Sequence, residues 1–102
     1  MHYITVVRGT LKTADLVEAQ STHDAIVARL SEMTRPLGAV GHQPHLNPRN
    51  PSEFLAIDTW SNLEGLQQFM SNPVVATELG QMFASPLDVS VWQESGWAAF
   101  RE

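Results

Sequence analysis

The sequence predicts an α+β domain of element order β-α-β-β-α-β, the split-βαβ or ferredoxin-like arrangement on a four-stranded antiparallel sheet. Period-two runs rich in β-branched and aromatic residues mark four strands. Two intervening stretches step their apolar residues by three and four, the helical period. A proline-rich turn joins the two central strands as a hairpin. With 102 residues and no repeat, linker or low-complexity run, the chain reads as one domain over residues 1–102.

Residues 2–9 (HYITVVRG) form the first strand. From Asp15 to about Pro36, Leu16, Ala19, His23, Ile26, Leu30, Met33 and Leu37 share one helix face, and Asp15 and Glu18 stand at capping-box spacing. Val40 to Leu46 forms the second strand, in which Pro44 argues for an edge position or a bulge. Asn47 to Ser52 (NPRNPS) is dense turn chemistry. Phe54 to Trp60 is the third strand, apolar on both faces and so expected to be covered on both. Ser61 and Glu64 cap a helix carrying Leu66 and Phe69. Asn72-Pro73 restarts it as N-cap and first turn. Val75, Leu79, Met82 and Phe83 form its apolar stripe and Pro86 its end. Leu87 to Trp92 alternates as the fourth strand.

Composition removes several function classes. The formal net charge is −5, and the six cations Arg8, Lys12, Arg29, Arg35, Arg49 and Arg101 are scattered, so no stripe tracks a phosphate backbone and nucleic-acid binding is disfavoured. With no cysteine, disulfides, thiolate nucleophiles and cysteine-based metal centres are excluded. No apolar run reaches membrane-spanning length and the N-terminus has no signal-peptide pattern, so a cytoplasmic protein without membrane contact is expected. Helices on one sheet face leave the other bare, and a homodimer closing sheet to sheet would cover it. The apolar Trp97-Ala98-Ala99-Phe100 is expected on that partner or capping the barrel.

The chemistry-bearing residues are few. His23 lies on the apolar face of the first helix, and a buried imidazole needs partners for two ring nitrogens. It is either a core histidine bonded to a carbonyl or water, or a general base in the cleft between helix and sheet. Asp58 interrupts an apolar strand, with Trp60 on the same face two residues on. Pairing Leu46 with Phe54 across the hairpin sets Pro44 against Ala56, His42 against Asp58 and Val40 against Trp60. His42 and His45 then point to opposite faces and grip one ion only if the strand bulges near Pro44. His23, His42 and Asp58 form a two-histidine, one-carboxylate set of the kind non-haem iron sites use. No metal is assigned, because such sets arise readily by chance. Phe54, Trp60, Phe69, Phe83 and Trp92 either pack as core or line a pocket for a flat apolar ligand.

The run Asp58-Thr59-Trp60-Ser61-Asn62-Leu63-Glu64-Gly65-Leu66-Gln67-Gln68-Phe69, followed by Asn72-Pro73, resembles the antibiotic-biosynthesis monooxygenase-like superfamily of dimeric α/β barrels. There a Trp closes the third strand and Ser/Asp-x-x-Glu caps the second helix. The element order agrees over nearly the whole chain. The resemblance does not extend to the haem-degrading branch, whose Trp, His and Asn positions are held here by Phe69, Leu79 and the Val7-Arg8 neighbourhood. The second-helix histidine frequent in the aromatic-substrate branch is absent too, so acid/base work falls to other residues. The resemblance implies cofactor-independent monooxygenation of an aromatic, polyketide or quinol-type small molecule. The residues read above would serve it, with His23 or His42 as base, Asp58 as orienter and Trp60, Phe54, Phe69, Phe83 and Trp92 around the substrate. The alternative is a non-catalytic ligand-binding or stress-related barrel dimer.

Overall fold

A computed structural model describes residues 2–84 and 86–101; Met1 and Glu102, the limits of the expected domain, and Ser85 lie outside them. The elements are β1 (Tyr3–Thr10), α1 (Leu16–Thr34), β2 (Ala39–Asn47), β3 (Asn50–Trp60), α2 (Leu63–Ser71), α3 (Pro73–Leu79) and β4 (Asp88–Gln93). All strand pairings are antiparallel, in the order β2-β3-β1-β4. This is the α+β, ferredoxin-like arrangement expected from the sequence.

Capping chemistry sets the helix starts. Asp15 accepts the backbone N–H groups of Val17 and Glu18 at 3.0 and 3.2 Å, satisfying donors that the first turn leaves open. Asn62, rather than the expected Ser61, caps α2 by accepting from Gly65 N–H at 3.1 Å. The Ser61 hydroxyl instead donates to the Gly38 carbonyl at 3.2 Å. Gly38 enters β2 with φ 108°, a conformation that a Cβ would strain. Asn72 caps α3 with Pro73 in its first turn, as expected. α3 stops at Leu79, well short of Pro86, because the chain turns at Gly80 so that Phe83 can bridge to Leu11.

The β2–β3 register pairs Leu46 with Phe54, Pro44 with Ala56 and His42 with Asp58. One expected pair differs: Ala39, not Val40, faces Trp60, because a bulge falls between Ala39 and Gly41. A second irregularity lies between Leu46 and Asn47; Pro44 itself stays in register at the sheet edge, where its missing N–H costs no ladder bond.

Alternation along β3 sends Phe54, Ala56, Asp58 and Trp60 to one face. The apolar three of these are buried, as are Ala19 and Ile26 of α1. Leu11, Met82 and Phe83 complete the core beneath the helices. Burying each large apolar side chain here contributes about 1.5–3 kcal/mol. The other face carries Leu55, Ile57 and Thr59, only half buried within one chain. The cover expected on both sides of β3 is therefore present on one, since every helix packs on the Phe54–Trp60 side.

Candidate active site

Four elements converge on one cavity of about 130 Å³, lined by His23 and Ile26 of α1, His42 of β2, Phe54, Asp58 and Trp60 of β3, Phe69 of α2, and by Phe83 after α3. Four of the five aromatic residues singled out from the sequence meet the histidines there. Phe54 stacks obliquely on His23 (centroids 5.8 Å) and edge-on against Phe83 (5.3 Å), while Trp60 meets Phe69 at 5.3 Å. Trp92 is the exception. It pairs with Ile4 on β4, which puts it on the sheet face opposite Asp58, 59% exposed, its indole N–H donating to Ser90 Oγ at 2.8 Å. Period two along β4 fixes that face, so Trp92 is no part of this cavity.

The polar wall of the cavity is a continuous chain of hydrogen bonds. His42 sits directly opposite Asp58 in the β2–β3 ladder, and its Nδ1–H donates to Asp58 Oδ1 at 2.5 Å. Thr5, opposite Asp58 on β1 and 1% exposed, donates its hydroxyl to Asp58 Oδ2 at 3.3 Å. The carboxylate thus has both oxygens engaged, which is what a charge in a largely apolar setting requires. His23 reaches down from α1 so that its Nε2 lies 2.9 Å from His42 Nε2. On its far side His23 Nδ1–H donates to Asp24 Oδ1 at 2.9 Å.

The two imidazoles meet end to end. Their planes are only 22° apart and their centroids 5.1 Å, the span of a 2.9 Å N···N gap plus one ring radius on either side. The lone-pair directions therefore oppose each other along one line instead of converging on an off-axis point. That is the geometry of an N–H···N hydrogen bond rather than of two ligands on one ion. Among the described residues no group of three or more His, Cys, Asp or Glu is placed to hold a metal.

His45, three residues from His42, lies outside this cavity and flanks a separate groove with Arg8 and Asp88. Two participants were not read from the sequence. Thr5 was reachable in principle, because the antiparallel pairing of β1 with β3 sets it opposite Asp58. Asp24 was not, because consecutive helix residues ordinarily point apart. One further polar group stands out. The indole Nε1 of Trp60, a residue 1% exposed, has no hydrogen-bond partner among the described residues.

No family model matches the chain, and no curated protein matches its sequence. Solved structures do match its fold. SnoaB, a cofactor-independent oxygenase from Streptomyces nogalater, superposes with a TM-score of 0.72 at 17% identity, over 94% of this chain and 95% of that one. A conserved protein from Methanosarcina mazei Go1 gives 0.71 at 11% identity, covering 93% and 94%. A structure of an antibiotic biosynthesis monooxygenase gives 0.68 at 8% identity, covering 90% and 97%. Across nearly its whole length the chain has the fold of the antibiotic-biosynthesis monooxygenase-like proteins.

Proposed function

We propose that the protein is a cofactor-independent monooxygenase of a small aromatic, polyketide or quinol-type substrate, working as a cytoplasmic homodimer. The observation that carries this reading is the His23–His42–Asp58 chain on the wall of an apolar cavity, in a fold shared with a cofactor-independent oxygenase. Asp58 fixes the His42 tautomer by accepting from Nδ1, which leaves Nε2 as the base, the division of labour of an Asp–His dyad. A substrate whose acidic group opens the Nε2–Nε2 contact loses a proton to His42 Nε2, and His23 is placed to pass it on. The resulting carbanion gives an electron to dioxygen, and recombination forms a C–O bond. Collapse of the hydroperoxide releases water and leaves a carbonyl, so a CH₂ and O₂ become C=O and H₂O. A cavity of about 130 Å³ takes roughly one aromatic ring, since an apolar cavity of comparable size holds benzene. One ring of the substrate therefore enters, with any further rings at the mouth. Phe54, Trp60, Phe69 and Phe83 clasp that ring.

One observation favours the second reading, a ligand-binding barrel without catalysis. Every ring nitrogen of His23 and His42 already has a partner within the protein, so no base stands free at rest. Oxygen uptake with dihydroxynaphthalene-type quinols and anthrones separates the two. The oxygenase reading expects turnover that falls by about 10²–10⁴ in His42→Ala, assayed well below a melting temperature that itself drops because Asp58 Oδ1 loses its partner. Saturable binding of these compounds without turnover by the wild type overturns it in favour of the binding protein.

A further inference from the structure

Asp24 belongs to none of the sequence motifs, yet it closes the hydrogen-bond chain at its solvent end. Its side chain is 62% exposed, that of His23 only 14%. An ionised carboxylate can only accept, so each Nδ1 that meets one must carry hydrogen. Asp24 meets His23 Nδ1 and Asp58 meets His42 Nδ1. If both rings were neutral, neither Nε2 would then have a hydrogen, and two lone pairs would face each other at 2.9 Å. One additional proton on that line turns the repulsion into a hydrogen bond.

We propose that Asp24 is a positioning residue that sets the proton inventory of the site: three ring protons on four nitrogens, with His23 and His42 resting as an imidazole–imidazolium couple. This rests on the oxygenase reading for its consequence but not for its geometry. The charges around the couple are accounted for. α1 brings Asp24, β3 brings Asp58 and β1 brings the neutral Thr5, while Arg29 of α1 is tied to Glu78 of α3 at 2.6 Å. Two carboxylates thus face one shared positive charge. Without Asp24 nothing requires hydrogen on His23 Nδ1, and a neutral His23 with its proton on Nε2 satisfies His42 equally well.

The consequence concerns which ligand the site recognises. In the couple one Nε2 is a donor and the other an acceptor. A phenolic or enolic hydroxyl entering between them accepts from one and donates to the other. An ether or ketone oxygen can only accept, and leaves one nitrogen without a partner. The same couple returns a proton as readily as it takes one, as an oxygenation needs when the hydroperoxide releases water.

Nitrogen-15 spectra of the histidine side chains at pH 7, on the ligand-free protein and its Asp24→Ala variant, test the assignment. In the wild type, both Nδ1 signals are expected at protonated positions, with the two Nε2 signals intermediate between protonated and bare. In Asp24→Ala, whose change lies on an exposed helix position, His23 Nδ1 is expected to lose its proton signal while His42 Nδ1 keeps its own. A wild-type His23 Nδ1 without a proton, or a pattern unchanged in Asp24→Ala, overturns the proposal. The spectra need no substrate. A failed oxygen-uptake assay therefore leaves this inference standing, and a failed proton count leaves turnover to decide the oxygenase reading.

Discussion

The two faces of the sheet are built from similar residues and end in opposite conditions. Under the helices, Phe54 and Ala56 are buried with α1 and the Met82-Phe83 turn, Trp60 is buried against Phe69 of α2, and the one charge in the row, Asp58, has a partner for each oxygen. On the other face Leu55 and Ile57 stay half buried and Trp92 is exposed, with Trp97 and Phe100 beyond it at 84% and 92% exposure. Polar chemistry collects where the sheet is covered, because desolvation strengthens hydrogen bonds there and makes an unpaired group costly. The uncovered face carries exposed apolar surface, with Arg8, His45 and Asp88 gathered in a groove at one end of it.

The sharpest way to break this contrast is to disturb the covered side. A Cβ on Gly65 would lie 1.7 Å from the Leu37 carbonyl oxygen, a backbone atom that cannot step aside. Gly65→Ala is expected to cost on the order of 4 kcal/mol or to abolish cooperative unfolding in urea. Ile26→Ala, which opens a void beside His23 at a position 3% exposed, is expected to cost about 2–4 kcal/mol in the same measurement. A near-neutral result for either would mean that α1 and α2 are not seated on the sheet as described.

The bare face answers differently if a second copy covers it. Trp92→Ser with Trp97→Ser is expected to change unfolding measured at high dilution by no more than about 0.5 kcal/mol, as exposed positions do. The same pair of changes should shift sedimentation at micromolar concentration from dimer toward monomer. A wild type that sediments as a monomer at that concentration removes the sheet-to-sheet homodimer and leaves these aromatics unexplained.

The legibility of the sequence divides along the same line. Element order and the His42–Asp58 pairing were readable because both follow from local periods and from one hairpin register, which apolar matching fixes. The bulge at Val40 was not, because it depends on how β2 leaves Gly38 after α1. The meeting of His23 with His42 required a tertiary distance, which helix period alone leaves open. The sequence reads Trp92 as core or pocket lining, because an aromatic residue in an alternating strand does not say which side is the core. Pairing with Ile4 decides that.

Trp60 allows a finer test inside the covered side. Its ring packs against Phe69, but its Nε1 donor is buried without a partner among the described residues. Trp60→Phe removes that unsatisfied donor along with some ring volume, so its cost is expected at about 1–2 kcal/mol, set by the void alone. Trp60→Ala, which empties the site, is expected at about 3–5 kcal/mol. If Trp60→Phe approached the cost of Trp60→Ala, the indole N–H would have to be making a bond beyond those found among the described residues.

The smallest expected effect lies at the exposed end of the sheet. Glu94 accepts the backbone N–H of His2 at 2.9 Å, and that bond, helped by the nearby His2 ring, holds its carboxyl below the ordinary value of 4.5. A carboxyl lowered in the folded state adds stability that is fully present above the unfolded value, and it is lost as pH falls through the folded one. Glu94→Gln should therefore be slightly less stable than wild type near neutral pH, and the difference should close as the solution is acidified below about 4.5. Because the group is fully exposed and salt screens it, the gap should also narrow when ionic strength is raised at pH 7. Urea midpoints of the two proteins at neutral and at acid pH decide it. A gap that widened on acidification would reverse the sign of the linkage and show that the carboxylate opposes the pairing of β4 with the start of β1.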